Sequence, residues 1–203
     1  MAQEHYFAEH PQVAAHWRDI DVDLDGRTRT VAVASGLFSP DGLDKATRIL
    51  LDHVPEPPQT GQALDIGCGW GPIALTLALR APHLRVWAVD VNERARDATT
   101  RNADRLGLEG ITVASPDGVP DDAEFDVIWA NPPIRIGKQA LHELLLTWLP
   151  RLAPGGTAWL VVGKQLGADS LQRWLAEELP GDFEVRRAAT ARGFRVIHIR
   201  RDA

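Results

Sequence analysis

Hydrophobic and polar positions along this chain follow two different rhythms. Residues 20–35, "IDVDLDGRTRTVAVAS", alternate with a period of two on either side of Asp25-Gly26, which predicts a β-hairpin closed by a tight turn. The stretch 41–54, "DGLDKATRILLDHV", has helical spacing and predicts a helix starting near Asp41 or Gly42. Three prolines then fall within "VPEPP" (54–58), which no helix continues. The chain therefore divides into an N-terminal hairpin and helix, residues 1–58, and a main domain, residues 59–203.

After this boundary short apolar runs alternate with helical patterns. "QALDIG", "RVWAVDV", "ITVAS", "FDVIWA" and "TAWLVVG" read as strands. "GPIALTLALRA", "NERARDATTRNADRLGL", "GKQALHELLLTWLPRL" and "GADSLQRWLAEEL" read as helices, the third closed by "APGG". "FEVRRAATARGFRVIHIRR" predicts two antiparallel strands around "ARG" at the edge of the sheet. Strands apolar on both faces and alternating with helices predict an α/β, Rossmann-like, mostly parallel sheet covered on both sides. Ligands of such sheets sit at the carboxyl ends of the strands, beside the topological switch point.

Composition narrows the classes. At 203 residues with 44% hydrophobic and 25% charged positions, the chain has the make-up of a globular domain with a sizeable core. Its one cysteine, Cys68, excludes an intramolecular disulfide. No apolar run approaches the ~20 residues of a membrane span, and "MAQEHYFAEH" lacks the basic and apolar segments of a signal peptide. These features predict a cytoplasmic protein without a membrane partner. The net charge of −6 argues against indiscriminate nucleic-acid binding. Yet Arg186, Arg187, Arg192, Arg195, Arg200 and Arg201 crowd the C-terminal segment. They make either a solvated strand edge or a basic face; the absence of an accompanying aromatic cluster favours the edge. His5, His10 and His16 match no metal-ligand spacing, and no metal is expected.

"LDIGCGWGP" places Gly67, Gly69 and Gly71 between a strand and a helix. Glycine permits positive φ and close approach of a ligand to backbone, and the following helix offers free N–H groups. A dinucleotide fold wants a third glycine five positions after the first, where this chain has Pro72. An NAD-dependent oxidoreductase is thereby disfavoured. Instead Asp65 ends the strand, an acid suited to the ammonium of S-adenosylmethionine and unsuited to a pyrophosphate. Cys68 inside the turn reads as a small packing residue rather than a nucleophile. Asp90, ending the next strand in "VWAVDVN" and followed by Val91, is placed to accept from a ribose diol. Asp117, in "ASPDGV", either takes an adenine amino group or is a plain turn residue.

"ANPPIRIGK" (130–138) ends the fourth strand with Asn131-Pro132-Pro133. Proline has no N–H and a fixed φ, so the strand stops and Asn131 is held in a stiff corner. Its side-chain oxygen and the Pro132 carbonyl form two acceptors suited to an exocyclic amino group, whose lone pair they would turn toward a methyl donor.

These segments resemble a family. "DIGCGWGP", "AVDVN" and "NPPI" are similar to class I S-adenosylmethionine-dependent methyltransferases acting on planar amino nitrogens. "HYF" (5–7), "SGLFSPDGLDKATRILL" (35–51), "NPPIRIGK" and "GKQLGADS" (163–170) resemble, more narrowly, the small-domain methyltransferases related to 16S rRNA guanine-N2 methyltransferases. The resemblance implies a seven-stranded methyltransferase sheet, S-adenosylmethionine as cofactor, and rRNA or the small ribosomal subunit as partner. It places Asn131, Pro132, Pro133 and Ile134 at the catalytic corner and Phe38 in a loop closing over the cofactor; Phe38 as a core anchor is the alternative. Several relatives carry a second N-terminal domain, whereas the expectation for this chain is the catalytic unit alone, and many have an aromatic residue where Ile134 stands. Arg135 and Lys138 flank the corner, as phosphate contacts or as solvated loop residues; Lys164 and Gln165 lie at the same end of the sheet. The trailing readings are methylation of another amino group, on protein glutamine or a small molecule, and a non-catalytic RNA-binding or ribosome-assembly factor that keeps the fold.

Overall fold

The computed structural model describes residues 15–203; His5, His10 and the "HYF" segment lie outside them. Trp17–Leu24 (β1) and Arg27–Ala34 (β2) form the expected hairpin, turning at Asp25 and Gly26, both with positive φ. The helix Lys45–His53 (α1) begins later than the sequence reading placed it. Asp44, not Asp41 or Gly42, is its N-cap and accepts from the backbone N–H groups of Ala46 and Thr47.

The main sheet contains Gln62–Ile66 (β3), Arg85–Val89 (β4), Ile111–Ala114 (β5), Phe125–Ala130 (β6), Leu152–Gly163 (β7), Phe183–Ala191 (β8) and Phe194–Arg201 (β9). Its order is β5-β4-β3-β6-β7-β9-β8. β3, β4, β5, β6 and β7 run parallel, and β9 lies antiparallel to both β7 and β8. The chain leaves β3 toward β4 on one side and returns as β6 on the other, which creates the switch point. The intervening helices are Pro72–Arg80 (α2), Glu93–Leu106 (α3), Lys138–Trp148 (α4) and Ala168–Glu178 (α5). α4 is shorter than its apolar pattern because Pro150 ends it through a single 3-10 turn, Leu149–Arg151. The regular β6–β7 ladder resumes at Thr157, beyond a bulge at "APGG".

Strand residues sort by parity into two cores. Leu64, Ile66, Ile128, Ala130, Leu160 and Val162 pack with α4 and α5. Ala63, Ala88, Val127, Trp129 and Val161 pack with α1 and α2. A third cluster joins the hairpin to α2 and α3 through Val31, Val33, Trp70, Leu75 and Ala98. The period of two places successive side chains on opposite faces, so a sheet covered on both sides has no polar face.

Candidate active site

The register of β3 against β6 assembles the site. Ile66 pairs with Ala130, so Gly67 and Asn131 leave the sheet side by side. The N–H groups of Gly67 and Cys68 both donate to the Val89 carbonyl, at 2.8 and 3.0 Å, and bend the loop toward β4. Gly69 has φ +59°, and a Cβ built there meets nothing within 4 Å: this point of the backbone faces open space. Gly71 has φ +98° and caps α2; a Cβ there would lie 3.1 Å from Thr99. Pro72 begins α2 at a position whose N–H would have had no helical partner.

The acids differ in what they face. Asp65 has no exposed surface and does not line the pocket; it lies beneath the glycine turn, where its Oδ2 accepts from Ala74 N at 3.0 Å. Its Oδ1 is buried without a hydrogen-bond partner. Burial, opposed by the Ala74 bond and assisted by the nearby Asp90, pushes its pKa up to about 8. Asp90 is nearly buried and accepts from Gly69 N at 3.0 Å and Asn92 N at 2.9 Å. Burial raises its pKa too, against those two bonds and the Arg96 charge. Arg96 donates to the carbonyls of Asp90 and Val91, and Val91 is exposed beside them. Asp117 is exposed in a 3-10 turn after β5, where the Ser115 side chain holds its carboxyl below the usual range. Cys68 is buried, and burial pushes its thiol well up, which matches a packing role.

At the proline corner, Asn131 Nδ2 donates to Asp44 Oδ2 and Thr47 Oγ1, both at 3.1 Å. Both amide hydrogens are thereby used. Oδ1 has no protein partner among the described residues and is not buried. The Pro132 carbonyl accepts from Ile134 N at 2.9 Å in a tight turn about Pro133; one lone pair remains. A Cβ at Gly67 would lie 3.8 Å from Pro133 Cδ, so the corner and the glycine turn are in contact range.

Asn131 lines one pocket with Phe38, Ser39, Asp44, Thr47 and the glycine turn. Phe38 is 44% exposed, which sets aside the core-anchor alternative. Neither Asp44 nor Thr47 stands out in the sequence, because their closeness to Asn131 is a tertiary contact. Ile134 is partly buried against the α4–α5 core, and Arg135 and Lys138 are exposed next to it. Lys164 and Gln165 are exposed after β7. The C-terminal arginines mostly serve the fold: Arg187 and Arg195 pair with Asp169, Arg200 with Asp202, and Arg201 with Asp182 and Glu124. Arg186 donates to His198 Nδ1 at 3.0 Å, and Arg192 sits exposed in the β8–β9 turn.

The residues present fit a ligand that combines a nucleoside with a cationic amino acid part. The glycine turn opens onto the pocket, the acids Asp90 and Asp117 follow the tips of β4 and β5, and α2 presents its N-terminus. Among the described residues no group of His, Cys, Asp or Glu is arranged to hold a metal ion.

A seven-stranded sheet of this order, with a glycine turn and an Asn-Pro-Pro corner at adjacent strand tips, defines a class I methyltransferase fold. The chain belongs to the methyltransferase small-domain family, whose model matches residues 28–198. It is 34% identical over 177 residues to the Bacillus subtilis protein YbxB, covering 86% of this chain and 88% of that one. It is 36% identical over 184 residues to the ribosomal RNA small subunit methyltransferase C of Pseudomonas entomophila, covering 87% of this chain and 52% of that one. Among solved structures it is similar to the Thermus thermophilus 16S rRNA N2 methyltransferase RsmC in complex with AdoMet and guanosine. That match has a TM-score of 0.78 at 24% identity over 96% of this chain and 52% of that one. A Pyrococcus furiosus methyltransferase matches with a TM-score of 0.65 at 23% identity, over 83% of this chain and 90% of that one. The chain thus spans about half, or less, of the ribosomal RNA methyltransferases it matches.

Proposed function

We propose that this chain transfers a methyl group from S-adenosylmethionine to the N2 amino group of a guanine in 16S rRNA. The observation that carries this reading is the amide of Asn131. Its two hydrogens are committed to Asp44 and Thr47, so the oxygen is its one remaining hydrogen-bonding atom, at the tip of the strand beside the glycine turn. An acceptor fixed in this way binds an amino N–H. It cannot turn to present its own NH₂, which would repel that amine. The free lone pair of the Pro132 carbonyl supplies a second acceptor.

S-adenosylmethionine, when bound, supplies an electrophilic methyl group on a sulfonium. The chain's own work is orientation and electrostatics. Holding both N–H groups of a conjugated amine directs its lone pair at the methyl carbon. With that donor bound, the N–C bond would form as the donor's S–C bond breaks, and the nitrogen would then lose one proton to solvent. No strong base is required before transfer. Ile134 offers an aliphatic face where an aromatic ring would add stacking.

The RNA part of the reading is supported by cation placement. The chain has three lysines, Lys45, Lys138 and Lys164, and all three are exposed at the carboxyl edge of the sheet. Lys45 opens α1 next to Asp44, Lys138 opens α4, and Lys164 follows β7. Arg135 and Arg192 join them. Mass spectrometry of rRNA nucleosides with and without the gene tests the substrate: loss of one methylguanosine is expected. Asn131→Ala should keep cofactor binding and lower methylation by about 10²-fold or more; full activity in that variant would reject the mechanism.

A further inference from the structure

Asn131 does not hold its own orientation, and two residues more than eighty positions earlier in the chain hold it. We infer that Asp44, with Thr47, is a positioning residue that sets which end of the Asn131 amide meets the substrate. The inference rests on the function proposed above for its catalytic consequence, and on geometry alone for the contact.

A primary amide in a stiff corner has two orientations that differ by a half-turn. One presents an acceptor and the other a donor. Backbone restraint from Pro132 and Pro133 does not choose between them. The choice falls to whatever surrounds the amide. Asp44 is a carboxylate and donates nothing, so the atom facing its Oδ2 at 3.1 Å must be nitrogen. Thr47 Oγ1 takes the second hydrogen, also at 3.1 Å, from a buried position in the first turn of α1. The half-turned amide would set Oδ1 against the carboxylate oxygen and repel it.

Asp44 is itself held by the backbone of α1. Its Oδ2 also accepts from Ala46 N at 2.8 Å and Thr47 N at 3.2 Å, as the N-cap of α1. A capping carboxylate has one workable rotamer, so the cap that starts the helix also aims the carboxylate at β6. α1 in turn packs through Ile49, Leu50 and Leu51 on the core containing Trp129 and Val161. The orientation of one amide is therefore transmitted from a helix that the sequence reading assigned to the N-terminal part. Asp44 also lines the pocket, so a direct contact of this carboxylate with the cofactor's cationic end is the competing role that the test must separate.

Serine caps helices about as well as aspartate but is one bond shorter. Asp44→Ser should keep α1 while losing the reach to Asn131. Thr47→Val removes the second acceptor and keeps the shape. Three readouts decide. In the nitrogen-edited NMR spectrum, both Asn131 side-chain protons should be shifted as hydrogen-bonded protons; Asp44→Ser and Thr47→Val should each release one toward the free value. Cofactor Kd by calorimetry should change less than about threefold, whereas single-turnover methylation of an rRNA fragment should fall by about 10- to 100-fold. The inference is overturned if the Asn131 protons do not move in either variant. It is equally overturned if Kd rises as far as the rate falls, because Asp44 would then be holding the cofactor. Should the wild-type protein methylate no RNA, the substrate reading fails, and the NMR shifts alone still decide the contact.

Discussion

Asp65 sits wholly buried under the turn that its own sequence motif announces, one oxygen on Ala74 N–H and the other without a partner. Its pKa of about 8 exceeds the ordinary 3.8, so the folded protein holds this proton more tightly than the unfolded chain. The sign follows: its contribution to stability is complete below the unfolded value and is lost as pH rises through the folded one. Asp65→Asn keeps an acceptor for Ala74 and removes the charge. The melting temperature of this variant relative to wild type should therefore climb from about pH 4 to about pH 8 and level off above it. Parallel melting curves across that range would show that the carboxyl ionises freely in the fold. Asp44 is the opposite kind of acid, partly exposed and lining the pocket.

Asn102 ties three elements together from the middle of α3. It is fully buried, accepts from Ala32 N at 2.6 Å, and donates to the carbonyls of Ala32 on β2 and Trp70 in the glycine turn, at 3.0 and 2.9 Å. One side chain thus serves a β2 edge that no other strand among the described residues pairs. Asn102→Ala leaves three buried backbone groups unpaired, at about 1–3 kcal/mol each where water cannot reach them. We expect a loss of at least about 3 kcal/mol in denaturant unfolding. Amide exchange should rise first in β2 and the glycine turn. A variant with wild-type protection in β2 would show that the apolar contacts of Val31 and Val33 hold the hairpin unaided.

For the whole molecule, net charge and local charge point in different directions. The chain carries −6, yet its three lysines stand together at one edge while most C-terminal arginines are consumed in ion pairs elsewhere. Phosphate binding depends on where cations stand, and the total reports only mean repulsion. Replacing Lys45, Lys138 and Lys164 by Gln should weaken binding of a single-stranded rRNA fragment. It should also flatten the plot of log K against log salt by about 2 units, since each neutralised phosphate on a single strand contributes ~0.7. Cofactor affinity should be unchanged. An unaltered salt slope would remove these lysines from the interface.

What the chain determines by itself is local or periodic. Alternation drew the hairpin and its Asp25-Gly26 turn, apolar runs drew the strands, and the glycine and proline motifs placed the candidate site at strand tips. These signals are legible because backbone geometry and solvent act on neighbours a few residues apart. The start of α1 was misplaced by two or three residues, since Asp41 and Asp44 are both competent caps and only packing on β7 and β9 selects one. The burial of Asp65, the pairing of Arg195 with Asp169, and the hold of Asp44 and Thr47 on Asn131 were decided by tertiary structure. A hydrogen bond between residues 44 and 131 leaves no periodic trace in sequence. It exists because α1 folds back across the sheet to bury Ile49 and Leu50, and that apolar packing brings a carboxylate to a strand tip that local preferences alone could not have found.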